Sequence, residues 1–175
     1  MTSQLHAPTA PPAERPFSET TNVYTEGFVA GVIGAATVAL WFLILDTIQG
    51  RPLHTPTVLG AAFFHKGAGL AAPGNIPISL ELTVVYTWIH GLVFCAIGVM
   101  AAKLLALAEE NPDLGFGILL LGVVFEVGFL VVALFFGEAI LGRLAWESIL
   151  IGNTLAAAAM AAYFWRRHPN LIIRP

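Results

Sequence analysis

Few side chains in this sequence could do chemistry, and most of them sit alone inside long apolar runs. In LELTVVYTWIHGLVFCAIGVMAAKLLAL, Leu80 to Leu107, the one ionisable group well inside the run is His90. Helical spacing puts Thr83, Tyr86, Thr87 and His90 on one face, with Val84, Trp88, Leu92 and Val99 pointing elsewhere. An imidazole changes charge near neutral pH and suits proton transfer or metal ligation. Glu126 lies in a later apolar run, and an ionised carboxylate there must be paired, hydrated or protonated. Thr37 and Asn153 add a hydroxyl and an amide in two further runs.

These groups need elements that position them, and composition names the class. The chain has 175 residues, 57% of them hydrophobic and 11% charged, with a mean hydropathy of +0.80. Soluble domains carry about 25% charged residues, so the expected fold is an all-α integral membrane protein. Its net charge of -3 provides no basic patch for nucleic acid. The single cysteine, Cys95, lies in an apolar run and reads as a small core residue, with no second thiol for a disulfide.

Four apolar stretches, at 26–48, 80–107, 114–137 and 144–165, are each long enough to cross a bilayer. Short turns after the second and third predict a four-helix antiparallel transmembrane bundle within residues 22–168. Residues 1–21, rich in proline, read as a disordered or docked N-terminal tail, and 169–175 as a C-terminal tail. The first stretch repeats Gly27, Gly31, Ala35 and Ala39 every fourth residue, a nearly bare side that invites close helix packing. Gly122 occupies a similar small-residue stripe beside Glu126.

Between the first two spans, GRPLHTPTVLGAAFFHKG predicts a short helix capped by Thr55, opened by Pro56 and ended at Gly67. It is too short to span, so it reads as interfacial or re-entrant. His54 and His65 there, with Asp46 and Glu81 at neighbouring helix ends, have the chemistry of zinc, copper or iron ligands. No HxxxH or ExxH pair accompanies them, so no metal is expected. Haem would need a second histidine at the depth of His90, and no other span supplies one.

With about 1.5 Å of rise per residue, His90, Asn153 and Thr37 fall about 13 Å below one end of their spans and Glu126 about 17 Å. The expectation is one polar layer, formed by Thr37, Tyr86, His90, Glu126 and Asn153. Arg15, Lys103, Arg166, Arg167 and Arg174 outnumber Arg51, Lys66 and Arg143 on the other side, which predicts cytoplasmic termini. The four-span layout with GRPLHTP after the first helix resembles small bacterial inner-membrane proteins of uncharacterised families. That resemblance implies a location in the bacterial inner membrane and no activity.

No phosphate loop, dinucleotide fingerprint, HExxH or GxSxG is present. The expected function is a non-catalytic subunit or accessory protein of a larger membrane complex, with lipid and protein partners or a second copy of itself. Two alternatives stay open: a small transporter or proton conductor using His90 and Glu126, and a haem- or quinone-binding protein.

Overall fold

The computed structural model describes residues 17–64, 76–110 and 145–168. They form four helices and no strand: α1 (Phe17–Ile48), α2 (His54–Phe64), α3 (Leu80–Glu110) and α4 (Ala145–Arg167). Three of them, α1, α3 and α4, are long and apolar enough to cross a membrane. The stretch expected at 114–137, with Gly122 and Glu126, and also His65, lie outside the described residues.

Helix α1 starts at Phe17, so residues 17–21 of the expected tail are helical. Pro16 directly precedes it in the sequence. Helix α3 runs three residues beyond the expected Leu107, to Glu110. Ser79 starts it, its hydroxyl accepting from the Leu82 N–H at 3.3 Å.

Helix α1 is the axis of the described structure, packing against both α3 and α4, while α2 packs mainly on α3. The α1–α3 contact is backbone on backbone. A β-carbon on Gly27 would lie 2.7 Å from the Gly98 carbonyl oxygen and overlap the Val99 backbone. One on Gly31 would overlap Phe94 and Cys95, and one on Gly98 would lie 2.6 Å from the Gly31 nitrogen. These pairings, early α1 against late α3, make the two helices antiparallel.

An adjoining strip of α1 meets α4. The Trp41 Nε1–H donates to the Ser148 carbonyl at 2.9 Å, and Gly152 leaves room for that indole, 2.9 Å from where its β-carbon would stand. Further along, Gly34 meets the Met160 sulfur and the Phe94 ring. Ala30, Val38, Ala156 and Met160 are buried among these contacts. Helix α4 therefore also runs against α1, and α3 and α4 are parallel to each other.

The exit from α1 is a Schellman turn. Gly50 takes φ 72°, its N–H donates to the Thr47 carbonyl at 3.0 Å, and the Arg51 N–H reaches the Asp46 carbonyl at 2.9 Å. Leu53, at φ 66°, then turns the chain into α2. A branched residue at positive φ is costly, and here it is fixed by the bonds on either side of it. Among them, the Thr57 N–H donates to the Leu53 carbonyl at 3.2 Å.

Outward faces are apolar. Only 22%, 17% and 17% of the most apolar windows of α1, α3 and α4 are buried inside the protein, and Phe28, Trp88 and Trp165 are more than half exposed. A helix whose uncovered faces are this apolar is stable in lipid rather than water.

Replacing Gly98 with Leu should cost about 3 kcal/mol, the upper end for overpacking, because both walls are backbone and cannot yield. Gly91, two turns away, has open space around its β-carbon position. Gly91→Ala should therefore be neutral or stabilising by up to about 1 kcal/mol from helix propensity alone. Reversible unfolding in detergent measures both, and equal effects at the two positions would contradict the close contact.

Candidate functional site

The cleft between α1, α2 and α3, about 440 Å³ in volume, is lined by six polar residues. Asp46, Thr55, Thr83, Tyr86, Thr87 and His90 all line it. The polar atoms they bring are largely engaged with one another or with the backbone.

Asp46 is the clearest case. It is 3% exposed and sits in the last turn of α1, where the helix dipole opposes a negative charge. The start of α2 compensates: the Thr55 N–H donates to Oδ2 and the Thr55 hydroxyl to Oδ1, both at 2.7 Å. Two charge-assisted hydrogen bonds and a second helix N-terminus thus stabilise one buried carboxylate. Thr55 serves as a donor within the first turn of α2, which begins at His54, and not as the cap before Pro56.

Below it, Thr57 is wholly buried and its hydroxyl donates to the Leu53 carbonyl at 2.8 Å. That oxygen accepts from the Ser79 N–H at 3.3 Å and lies 3.1 Å from the Thr83 hydroxyl. Thr83 reaches the Ser79 carbonyl at 2.9 Å. This cluster fastens the middle of α2 to the start of α3, beside Gly60, whose β-carbon position is 2.9 Å from the Leu82 carbonyl oxygen.

His90 stacks on Tyr86, ring centroids 6.0 Å apart, and tilts against Phe94 at 4.7 Å. Its ring makes a polar contact with the Ala35 backbone. Among the described residues, Nε2 of His90 and Nδ2 of Asn153 are buried with no hydrogen-bond partner. Thr37 gives its proton to the Ile33 carbonyl in its own helix, at 2.8 Å. Of the expected polar layer, the structure brings Tyr86 and His90 together, spends Thr37 locally and puts Asn153 on α4; Glu126 is outside the described residues.

The expected packing residues divide. Gly27 and Gly31 are buried against α3, Ala35 is half-buried beside His90, and Ala39 lies exposed on the cleft wall. Of the metal-ligand candidates, Asp46 is engaged by Thr55, Glu81 is exposed at the start of α3, and His54 opens α2. Burial, and then the charge of Arg51, lower the His54 pKa against the opposing pull of Asp46, so its ring is neutral at pH 7. Among the described residues no three His, Cys, Asp or Glu side chains are grouped to hold a metal ion. Of the described imidazoles other than His90, His54 lies at the α2 end and His168 at the opposite end, so neither shares its depth.

A second polar site closes the far end. His168 Nδ1 contacts Glu109 at 2.6 Å and Nε2 contacts Glu26 at 2.9 Å, joining α4, α3 and α1. Only an imidazolium donates from both nitrogens. Burial opposes that charge, but the Glu109 and Glu26 carboxylates outweigh it and raise the His168 pKa above its usual value. Sequence reasoning missed this cluster, since nothing local in the chain relates residues 26, 109 and 168. It also missed Gly98, although Gly91, Cys95, Gly98 and Ala102 form a readable small-residue stripe.

Compared with protein-family models, curated proteins and solved structures, the chain matches none of them.

Two outcomes follow from these geometries. Asp46→Asn keeps the shape but turns an amide N–H2 toward one of the two Thr55 donors, and should cost about 1–3 kcal/mol in thermal unfolding. For His168 the folded pKa is raised, so its stabilisation is complete below about pH 6.5, the unfolded value, and is lost as pH rises through the folded one. The melting temperature in detergent should fall across that window, and His168→Gln should flatten the dependence.

Proposed function

We propose that this chain is a non-catalytic integral-membrane subunit or accessory protein of a larger membrane assembly. The observation that carries the reading is an open notch on the outer face of the α1–α3 pair. It is a groove of about 250 Å³ whose wall includes Phe28, Trp88, Gly91, Leu92 and Cys95. Gly91 presents bare backbone there, between Trp88 at 69% and Leu92 at 61% exposure. In lipid, helices associate where small residues let backbones approach, so this notch suits a helix from a partner or a second copy. The Gly27–Gly31–Gly98 contact is already used within the chain and does not serve that role.

The same reading includes a fourth span and a bacterial inner-membrane location with cytoplasmic termini. Helix α3 ends beside His168 through Glu109, while α4 begins beside Trp41 at the other end. Residues 111–144 therefore join opposite ends of the described helices, about 30 Å apart by the rise from Ser148 to His168. Across that much hydrocarbon a helix is the form that satisfies its own backbone, and 114–137 is the apolar stretch available. Lys103, Arg166 and Arg167 gather toward the His168 end, which supports placing that end in the cytoplasm.

A second reading, proton conduction through His90 and Glu126, is favoured by the unpartnered Nε2 of His90. Dissipation of a pH gradient in proteoliposomes, abolished by His90→Phe, would establish it over the subunit reading.

For the subunit reading, Gly91→Leu should leave the melting temperature of the isolated chain unchanged and remove the stoichiometric partner that co-purifies in mild detergent. A partner retained at full stoichiometry would place the interface elsewhere. In a Cys95→Ala background, Gln49→Cys should react with an impermeant maleimide in intact cells, and Arg166→Cys only after permeabilisation.

A further inference from the structure

We propose that the cleft between α1, α2 and α3 is a lipid site that takes one acyl chain of a phospholipid. The proposal rests on the reading that α1 and α3 cross the bilayer. The cleft is about 440 Å³, within the range of about 300–1,000 Å³ typical of ligand sites. Its walls are almost entirely carbon, although six polar residues line it. Four of the six are bonded away: Asp46 is turned to Thr55, Thr83 to the Ser79 carbonyl and Thr87 to the Thr83 carbonyl at 2.7 Å. Tyr86 and His90, whose Nε2 has no partner among the described residues, stack together at the deep end. Buried water is held by two to four polar partners, and these walls offer few, so water is a poor occupant.

Length and access select the hydrocarbon. On α1 the cleft runs from Ala36 to Asp46, about 15 Å at helical rise, which is half of a hydrocarbon core about 30 Å thick. That is the depth of one leaflet. Leu40 and Leu43 on its wall are 58% and 39% exposed, so the cleft opens sideways, toward lipid. Its deep end is closed by the Tyr86–His90 stack. At its shallow end α2 begins, and Arg51, exposed and tied through its N–H to the Asp46 carbonyl, places a cation at headgroup level. An acyl chain entering beside Leu40 would thus lie along α1 with its phosphate near that cation.

The test uses the full-length protein extracted from its membrane in mild detergent, with bound lipid read by native mass spectrometry and by lipid extraction. Wild-type protein should retain phospholipid at about one per chain and, once delipidated, regain it from dioleoyl phosphatidylglycerol. Ala39→Phe fills the cleft from its wall and should lower retention at least fivefold, whereas Leu155→Phe on exposed α4 should not. If Ala39→Phe fails to fold, as judged by circular dichroism, Ala36→Leu replaces it in the same comparison. Equal retention in the cleft-filled and control variants overturns the site. So does an isoprenoid quinone, or a second copy of the chain, as the occupant lost on filling. Release of the wild-type chain by alkaline carbonate would instead remove the membrane-spanning reading itself, so the two failures are distinguishable.

Discussion

Everything described in this molecule hangs on the approach of two backbones. Gly27 and Gly31 on α1 and Gly98 on α3 let the helices come together until peptide groups, not side chains, form the contact. In water a glycine in a helix interior is a weakness of about 1 kcal/mol. Inside lipid, where apolar side chains gain nothing by leaving the solvent, the balance changes: dispersion between closely packed backbones becomes the main source of attraction. With α1 fixed to α3, an adjoining strip of α1 receives α4 through Gly34, Trp41 and Gly152, and Gly34 touches both neighbours. One helix thereby sets the positions of the other two.

The cleft is the geometrical remainder of that arrangement. The glycine contact lies in the half of α1 nearer its start; toward Asp46 the larger Ala39, Leu40 and Leu43 line the cleft. Helix α2 covers part of the gap, burying Val58 and Ala61, and a few polar contacts fix its angle. The Schellman turn at Gly50, the Asp46–Thr55 bonds and the Thr57–Ser79–Thr83 cluster all act within one small region. Such bonds are directional, so they fix an angle where apolar contact alone would fix only proximity. The polar groups spent this way are withdrawn from the cleft surface, which leaves its walls hydrocarbon.

Among the described residues charge lies toward the two ends, with different consequences. At the α2 end a buried carboxylate faces a helix N-terminus and accepts two hydrogen bonds from Thr55. At the other end an imidazole lies between two carboxylates and joins three helices, so the attachment there depends on a proton.

The sequence by itself determined the class and the secondary structure. Low charge, high hydropathy and runs of more than twenty apolar residues admit only membrane-crossing helices, because the backbone polar groups in hydrocarbon must bond within their own segment. Three of those helices are seen where the runs placed them, and the small-residue face of the first is legible from its fourfold spacing. Which neighbour that face meets was not legible, since glycine spacing describes one helix and a contact needs two. The same holds for Asp46, readable as an acid at a helix end but not as the anchor of α2. It holds also for Glu26, Glu109 and His168, which come together only after α1, α3 and α4 have packed. Local patterns set what each segment is; tertiary structure decided which polar groups became partners, because hydrogen bonds and ion pairs act over a few ångströms, and only packing brings residues distant in the chain within that reach.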